Sequence, residues 1–113
     1  MKSTILALAL VITATTASAH SPLNATMPAD GEIIDMAPTE IMLDFKGDIR
    51  LTRVTVTALD GAQTDVDLST ASTFTNAFTL PITEIGSGAY TVEWRGLGTD
   101  GHALNGTFAF TVQ

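Results

Sequence analysis

The side chains able to do chemistry in this sequence gather at two places, His20 and the segment Thr99-Asp100-Gly101-His102. His20 and His102 are the only histidines, and there is no cysteine. Disulfides, thiolate zinc sites, iron–sulfur clusters and cysteine nucleophiles are therefore excluded. His20 follows Ala17-Ser18-Ala19, the small-residue pattern at which a secretory leader is cut. Cleavage after Ala19 would make His20 the first residue, and a terminal histidine offers two nitrogens, its freed amine and its ring, to one metal. Asp100 and His102 are two apart across a glycine, so an extended or turning backbone can present both on one side and add an oxygen and a further nitrogen. Three nitrogens and a carboxylate suit copper(II), which prefers tetragonal N,O ligation and heads the divalent affinity order. The same residues also read more plainly, as a frayed terminus and an ordinary Asp-Gly turn.

The elements that would carry these residues follow from charge and periodicity. Residues 1–19 combine a basic start at Lys2, an apolar run from Ile5 to Ile12 and the small-residue site, which reads as a signal peptide too short in its apolar core to stay in a bilayer. Removing it leaves residues 20–113 as one exported domain and takes the formal charge from −7 to −8. Nucleic acid and anionic membranes, which need a basic face, are poor partners for such a chain, and no later stretch is long and apolar enough for stable membrane insertion. A domain of this size holds one core and has no room for a second domain carrying a nucleotide.

No segment after His20 sustains a helical period. Ile41, Leu43 and Phe45 alternate with Met42 and Asp44, and Val54, Val56 and Ala58 with Thr55 and Thr57. Tyr90, Val92 and Trp94 alternate with Thr91 and Glu93, and Phe108, Phe110 and Val112 with Ala109 and Thr111. Each pattern wets one face and buries the other. With Leu23–Thr26, Thr64–Leu68 and Phe78–Leu80, this predicts about seven short strands. Turns are predicted at residues 28–31, Lys46-Gly47-Asp48, Asp60-Gly61, residues 86–88 and Gly96 through Gly101, with another at Asn105-Gly106. The fold class is all-β, a Greek-key sandwich or barrel. Trp94 and Tyr90, on strictly alternating positions, are predicted to be core rather than a ligand platform, and residues 69–76 to form a polar loop.

The segment Gly88-x-Tyr90-x-Val92-x-Trp94-Arg95, followed by Asp100-Gly101-His102, Gly106 and Phe108-x-Phe110-x-Val112, resembles the C-terminal signature of the CopC-like periplasmic copper-resistance proteins. The front half is similar too, in His20, Leu23, Pro28-Ala29-Asp30-Gly31, Pro38 and Ile41-x-Leu43-x-Phe45. The resemblance implies a seven-stranded Greek-key β-barrel or sandwich of immunoglobulin-like or cupredoxin-like type. It also implies a periplasmic location and one Cu(II) per chain, held by the His20 amine and imidazole, Asp100 and His102. Two departures stand out. Where the family often carries a Ser/Thr-Glu pair this chain reads Lys46-Gly47-Asp48, so Asp48 is left outside the site. Some members have a methionine-rich Cu(I) loop, whereas Met27, Met36 and Met42 are spread through the first half with none between Asp60 and Leu80, and the expectation is no Cu(I) site.

The function expected is that of a monomeric, exported Cu(II)-binding protein that sequesters or hands on copper without catalysis, with an inner-membrane copper transporter as a candidate partner. Two other readings use the same residues. One is an oxidative copper enzyme built on the N-terminal histidine chelate. It is disfavoured because such enzymes need a broad aromatic binding face and because Asp100 would fill the position that oxygen requires. The other is a metal-free β-sandwich interaction module.

Overall fold

The computed structural model describes residues 22–113, so the expected signal peptide and His20 lie outside the described residues. Seven strands run in the order β1 (Leu23–Met27), β2 (Glu32–Ile34), β3 (Glu40–Ala58), β4 (Gln63–Asp65), β5 (Thr75–Pro81), β6 (Gly88–Gly98) and β7 (Ala103–Val112). The expected number is met by a different set of strands. The two predicted strands at 41–45 and 54–58 are one 19-residue strand, and the short β2, which carries no alternation of its own, pairs in parallel with β7.

β3 is the spine. Its first part pairs with β1 on one side and β5 on the other, with Leu43 opposite both Thr26 and Phe78. Its second part pairs with β6 from Ile49 to Ala58 and with β4 at Thr55–Thr57. Lys46-Gly47-Asp48, predicted to be a turn, is thus the crossing at which one strand leaves one set of neighbours for another, and the pairing with β5 shifts register across it. A second irregularity between Leu51 and Arg53 changes the phase of burial. Ile41, Leu43, Phe45, Ile49 and Leu51 point inward at odd positions, and Val54 and Val56 at even ones. An extra residue inserted against a partner strand turns every later side chain to the opposite face.

The core is made by Phe45, Phe78, Leu80, Val92, Trp94, Phe108 and Phe110, contributed by β3, β5, β6 and β7 and all buried. Phe45 on β3 links β5 to β6. Its ring meets Trp94 edge-on at 4.9 Å and Phe78 at 5.8 Å, the geometry that ring quadrupoles favour. Trp94 is 1% exposed, which agrees with the prediction that it is core, and its buried Nε1 has no hydrogen-bond partner. Tyr90 stacks on Phe110 at 5.6 Å and donates its hydroxyl to the Gly86 carbonyl at 2.8 Å, which anchors the turn before β6.

Asn105-Gly106, predicted to be a turn, lies inside β7, with Gly106 opposite Trp94. A Cβ at position 106 would stand 2.7 Å from the indole Nε1 and 2.9 Å from two ring carbons, so the glycine leaves room for the tryptophan. Gly96 likewise lies inside β6, where a Cβ would meet the Arg50 carbonyl oxygen at 2.9 Å. The predicted break from Gly96 through Gly101 therefore contracts to residues 99–102. The polar segment before β5 is tied to the core by Ala71, which is buried and donates its backbone N–H to the Leu68 carbonyl.

Candidate metal centre

The β6–β7 hairpin presents Thr99-Asp100-Gly101-His102 at its tip. Gly98 N–H donates to the His102 carbonyl at 2.9 Å, and Gly101 N–H donates to the Gly98 carbonyl at 3.0 Å, closing the loop tightly. Gly101 has φ +82°, a left-handed conformation that side-chain-bearing residues rarely adopt. The reversal at Gly101 turns His102 back onto Asp100. Carboxylate Oδ1 accepts the His102 backbone N–H at 3.0 Å, and Oδ2 lies 2.7 Å from His102 Nδ1. Both side chains are well exposed.

The backbone N–H of His102, and next its ring contact, hold the Asp100 carboxyl below its ordinary value. Hydrogen bonds to the charged form produce that direction, so the loop keeps an ionised oxygen beside an imidazole nitrogen. A side chain at position 98 would crowd the same carboxylate, since a Cβ there would lie 2.9 Å from Asp100 Oδ1.

The strands also determine what surrounds the loop. Gly98 is the register partner of Ile49, so the hairpin tip stands over the residue 46–48 crossing. The Lys46 N–H donates to the Pro22 carbonyl at 2.8 Å, which puts the first described residue at the same crossing. Of the three expected ligands, the fold brings Asp100 and His102 into direct contact, and His20 falls outside the described residues. Among the described residues no group of three or more histidines, aspartates or glutamates is close enough to hold a metal, so Asp48 does not complete a site with the other two.

A seven-stranded β-sandwich with a histidine–carboxylate pair at the tip of its last hairpin defines the class. The sequence profile of the CopC domain matches residues 23–113, and the chain belongs to the CopC family. Copper resistance protein C of Escherichia coli is 26% identical over 108 residues, covering 86% of this chain and 84% of that protein. Two solved structures share the fold. CopC from Methylosinus trichosporium OB3b superposes with a TM-score of 0.66 at 24% identity, covering 83% of this chain and 94% of the other. PcoC from Escherichia coli, described as a methionine-rich copper resistance protein, gives 0.59 at 24% identity, covering 84% and 100%.

Proposed function

We propose that this chain is a periplasmic Cu(II)-binding protein that sequesters or carries copper for copper resistance, using His20, Asp100 and His102 as ligands and catalysing no reaction. Membership of a family of copper-resistance proteins supports the metal. The observation that carries the ligand assignment is the 2.7 Å separation of Asp100 Oδ2 and His102 Nδ1. Two ligand atoms bonded to one metal at about 2.0 Å each, at right angles, stand about 2.8 Å apart. The two atoms are thus already spaced as neighbouring ligands of one metal, and copper would bind both once the imidazole turns its Nδ1 lone pair off the line to Oδ2 and carries its N–H on Nε2.

His20 is two residues before Pro22, and two residues span at most about 7 Å. That reach, starting from the crossing beneath the hairpin tip, supports a site completed by the terminal amine and ring of His20. Export then becomes part of the chemistry. Before cleavage the nitrogen of His20 is a planar amide with no lone pair to offer; afterwards it is an amine with a pKa of about 7.7–8.0 that copper can deprotonate. Four N,O donors in a tetragonal set favour Cu(II) over Zn(II). The test is titration of the mature protein with each metal. One equivalent of Cu(II), bound far more tightly than Zn(II) and with an axial, nitrogen-rich electron paramagnetic resonance spectrum, is expected. Equal affinities would refute the assignment.

A further inference from the structure

The three methionines after the leader are spread over 16 positions of sequence, but the strand register does not leave them apart. Met27 on β1 is the direct partner of Met42 on β3. Opposed residues on neighbouring strands project from the same face with Cβ atoms about 4.5–5.5 Å apart. Ile41 and Leu43 point into the core, so Met42 points outward, and both methionines are solvent-accessible, Met27 at 63% and Met42 at 42%. They line one open cleft together with Pro28, Ile34, Glu32 and Glu40.

We propose that Met27 and Met42 form a second metal site, selective for a soft monovalent cation such as Cu(I) or Ag(I). Thioethers select soft ions, and each methionine has three rotatable bonds with which to adjust its sulfur. Two sulfurs need to stand about 4.6 Å apart to bracket an ion at metal–sulfur bonds of about 2.3 Å, which flexible side chains on directly opposed positions reach. The local charge favours a cation. Glu40 and Asp44 follow the same outward alternation of β3 on either side of Met42, and between residues 22 and 45 there are five carboxylates and no lysine or arginine. This site is separate from the hairpin tip and does not depend on the Cu(II) reading. It is also outside the 60–80 region to which the family resemblance assigns a methionine-rich loop, and it replaces the expectation of no Cu(I) site with one that only the register reveals.

Met36 is the internal control, because at 82% exposure it lies in the β2–β3 connection with no methionine opposite it. The test is titration of the mature protein, labelled with 13C at the methionine methyls, with Ag(I) in nitrate buffer. The Met27 and Met42 methyl signals should move together and saturate at one equivalent, while Met36 responds only at higher concentration. Met27→Leu and Met42→Leu keep the side-chain volume on an exposed face, and each should weaken Ag(I) binding by at least about tenfold, the lower end of what losing even an outer-shell partner costs a metal site. Cu(II) affinity should be unchanged in both. The proposal is overturned if all three methyls respond at the same Ag(I) concentration, or if either leucine variant binds Ag(I) as the parent does.

Discussion

Replacing Gly106 with alanine adds one methyl group opposite the largest fully buried side chain of the core. The new Cβ would sit 2.7 Å from Trp94 Nε1 and 2.9 Å from its Cε2 and Cζ2, closer than Cβ atoms normally approach. The indole has nowhere to retreat, since Phe45 packs against it at 4.9 Å and the ring is almost wholly enclosed. Overpacking of this kind costs about 1–3 kcal/mol. The backbone at 106 is not left-handed, so alanine also gains about 0.5–1 kcal/mol by restricting the unfolded chain. Clash exceeds gain, and a net loss of about 1–2 kcal/mol is expected, a fall in Tm of about 5–15 °C for a domain of this length. Gly47→Ala provides the comparison within a strand. Nothing lies within 4 Å of its Cβ and its φ is not positive, so its stability should be unchanged or slightly raised. Thermal and urea unfolding of the metal-free proteins, followed by Trp94 fluorescence, measure both variants. Equal stability of Gly106→Ala and Gly47→Ala would refute the claim that the Trp94–Gly106 contact is filled to capacity.

Three further expectations follow from the same geometry. Trp94→Ala should lower stability by about 3–5 kcal/mol through lost burial and the cavity left behind, measured by urea unfolding monitored by circular dichroism. Asp100→Ala and His102→Ala should change the stability of the metal-free protein by no more than about 0.5 kcal/mol, as exposed substitutions do, while weakening Cu(II) binding strongly in a competition titration. Asp67 accepts the Ser69 backbone N–H at 2.9 Å, and this bond, with the Ser69 side chain next, holds its carboxyl below the ordinary aspartate value of 3.8. A depressed folded value means that the contribution to stability is present above that ordinary value and is lost as pH falls through the folded one. The Ser69 amide resonance should therefore titrate with a midpoint below 3.8, and Asp67→Asn should abolish the transition.

The sequence made the interior of this fold legible wherever one face of a strand is dry. The alternations at 41–45, 90–94 and 108–112 became strands with their apolar sides inward because burial enforces a period of two. What stayed hidden depends on partners distant in sequence. β2 is a strand only because β7 offers it an edge at residues 110–112. Asn105-Gly106 has the composition of a turn, yet the demand for space beside Trp94 places that glycine within a strand. Lys46-Gly47-Asp48 likewise has turn chemistry, which here serves a strand that must change neighbours rather than reverse. The Asp100–His102 pair was legible because its geometry is local, two residues across a left-handed glycine. The Met27–Met42 pair was not, because fifteen positions of sequence and one strand register separate the two residues.

The central claim, that removal of the leader itself creates a copper ligand, is tested most directly by one pair of proteins. The first begins at His20 and the second carries one extra alanine in front of it. Every side chain is retained, but in the second protein the nitrogen of His20 is an amide again and its chelate ring is lost. Cu(II) affinity, measured by competition at several pH values, should fall by several orders of magnitude in the extended protein with no change in its circular dichroism spectrum. In the protein beginning at His20, affinity should rise with pH through about 7.7–8.0 as the amine gives up its proton. Equal affinity in the two proteins would contradict the account and leave the side chains of His20, Asp100 and His102 as the whole of the site.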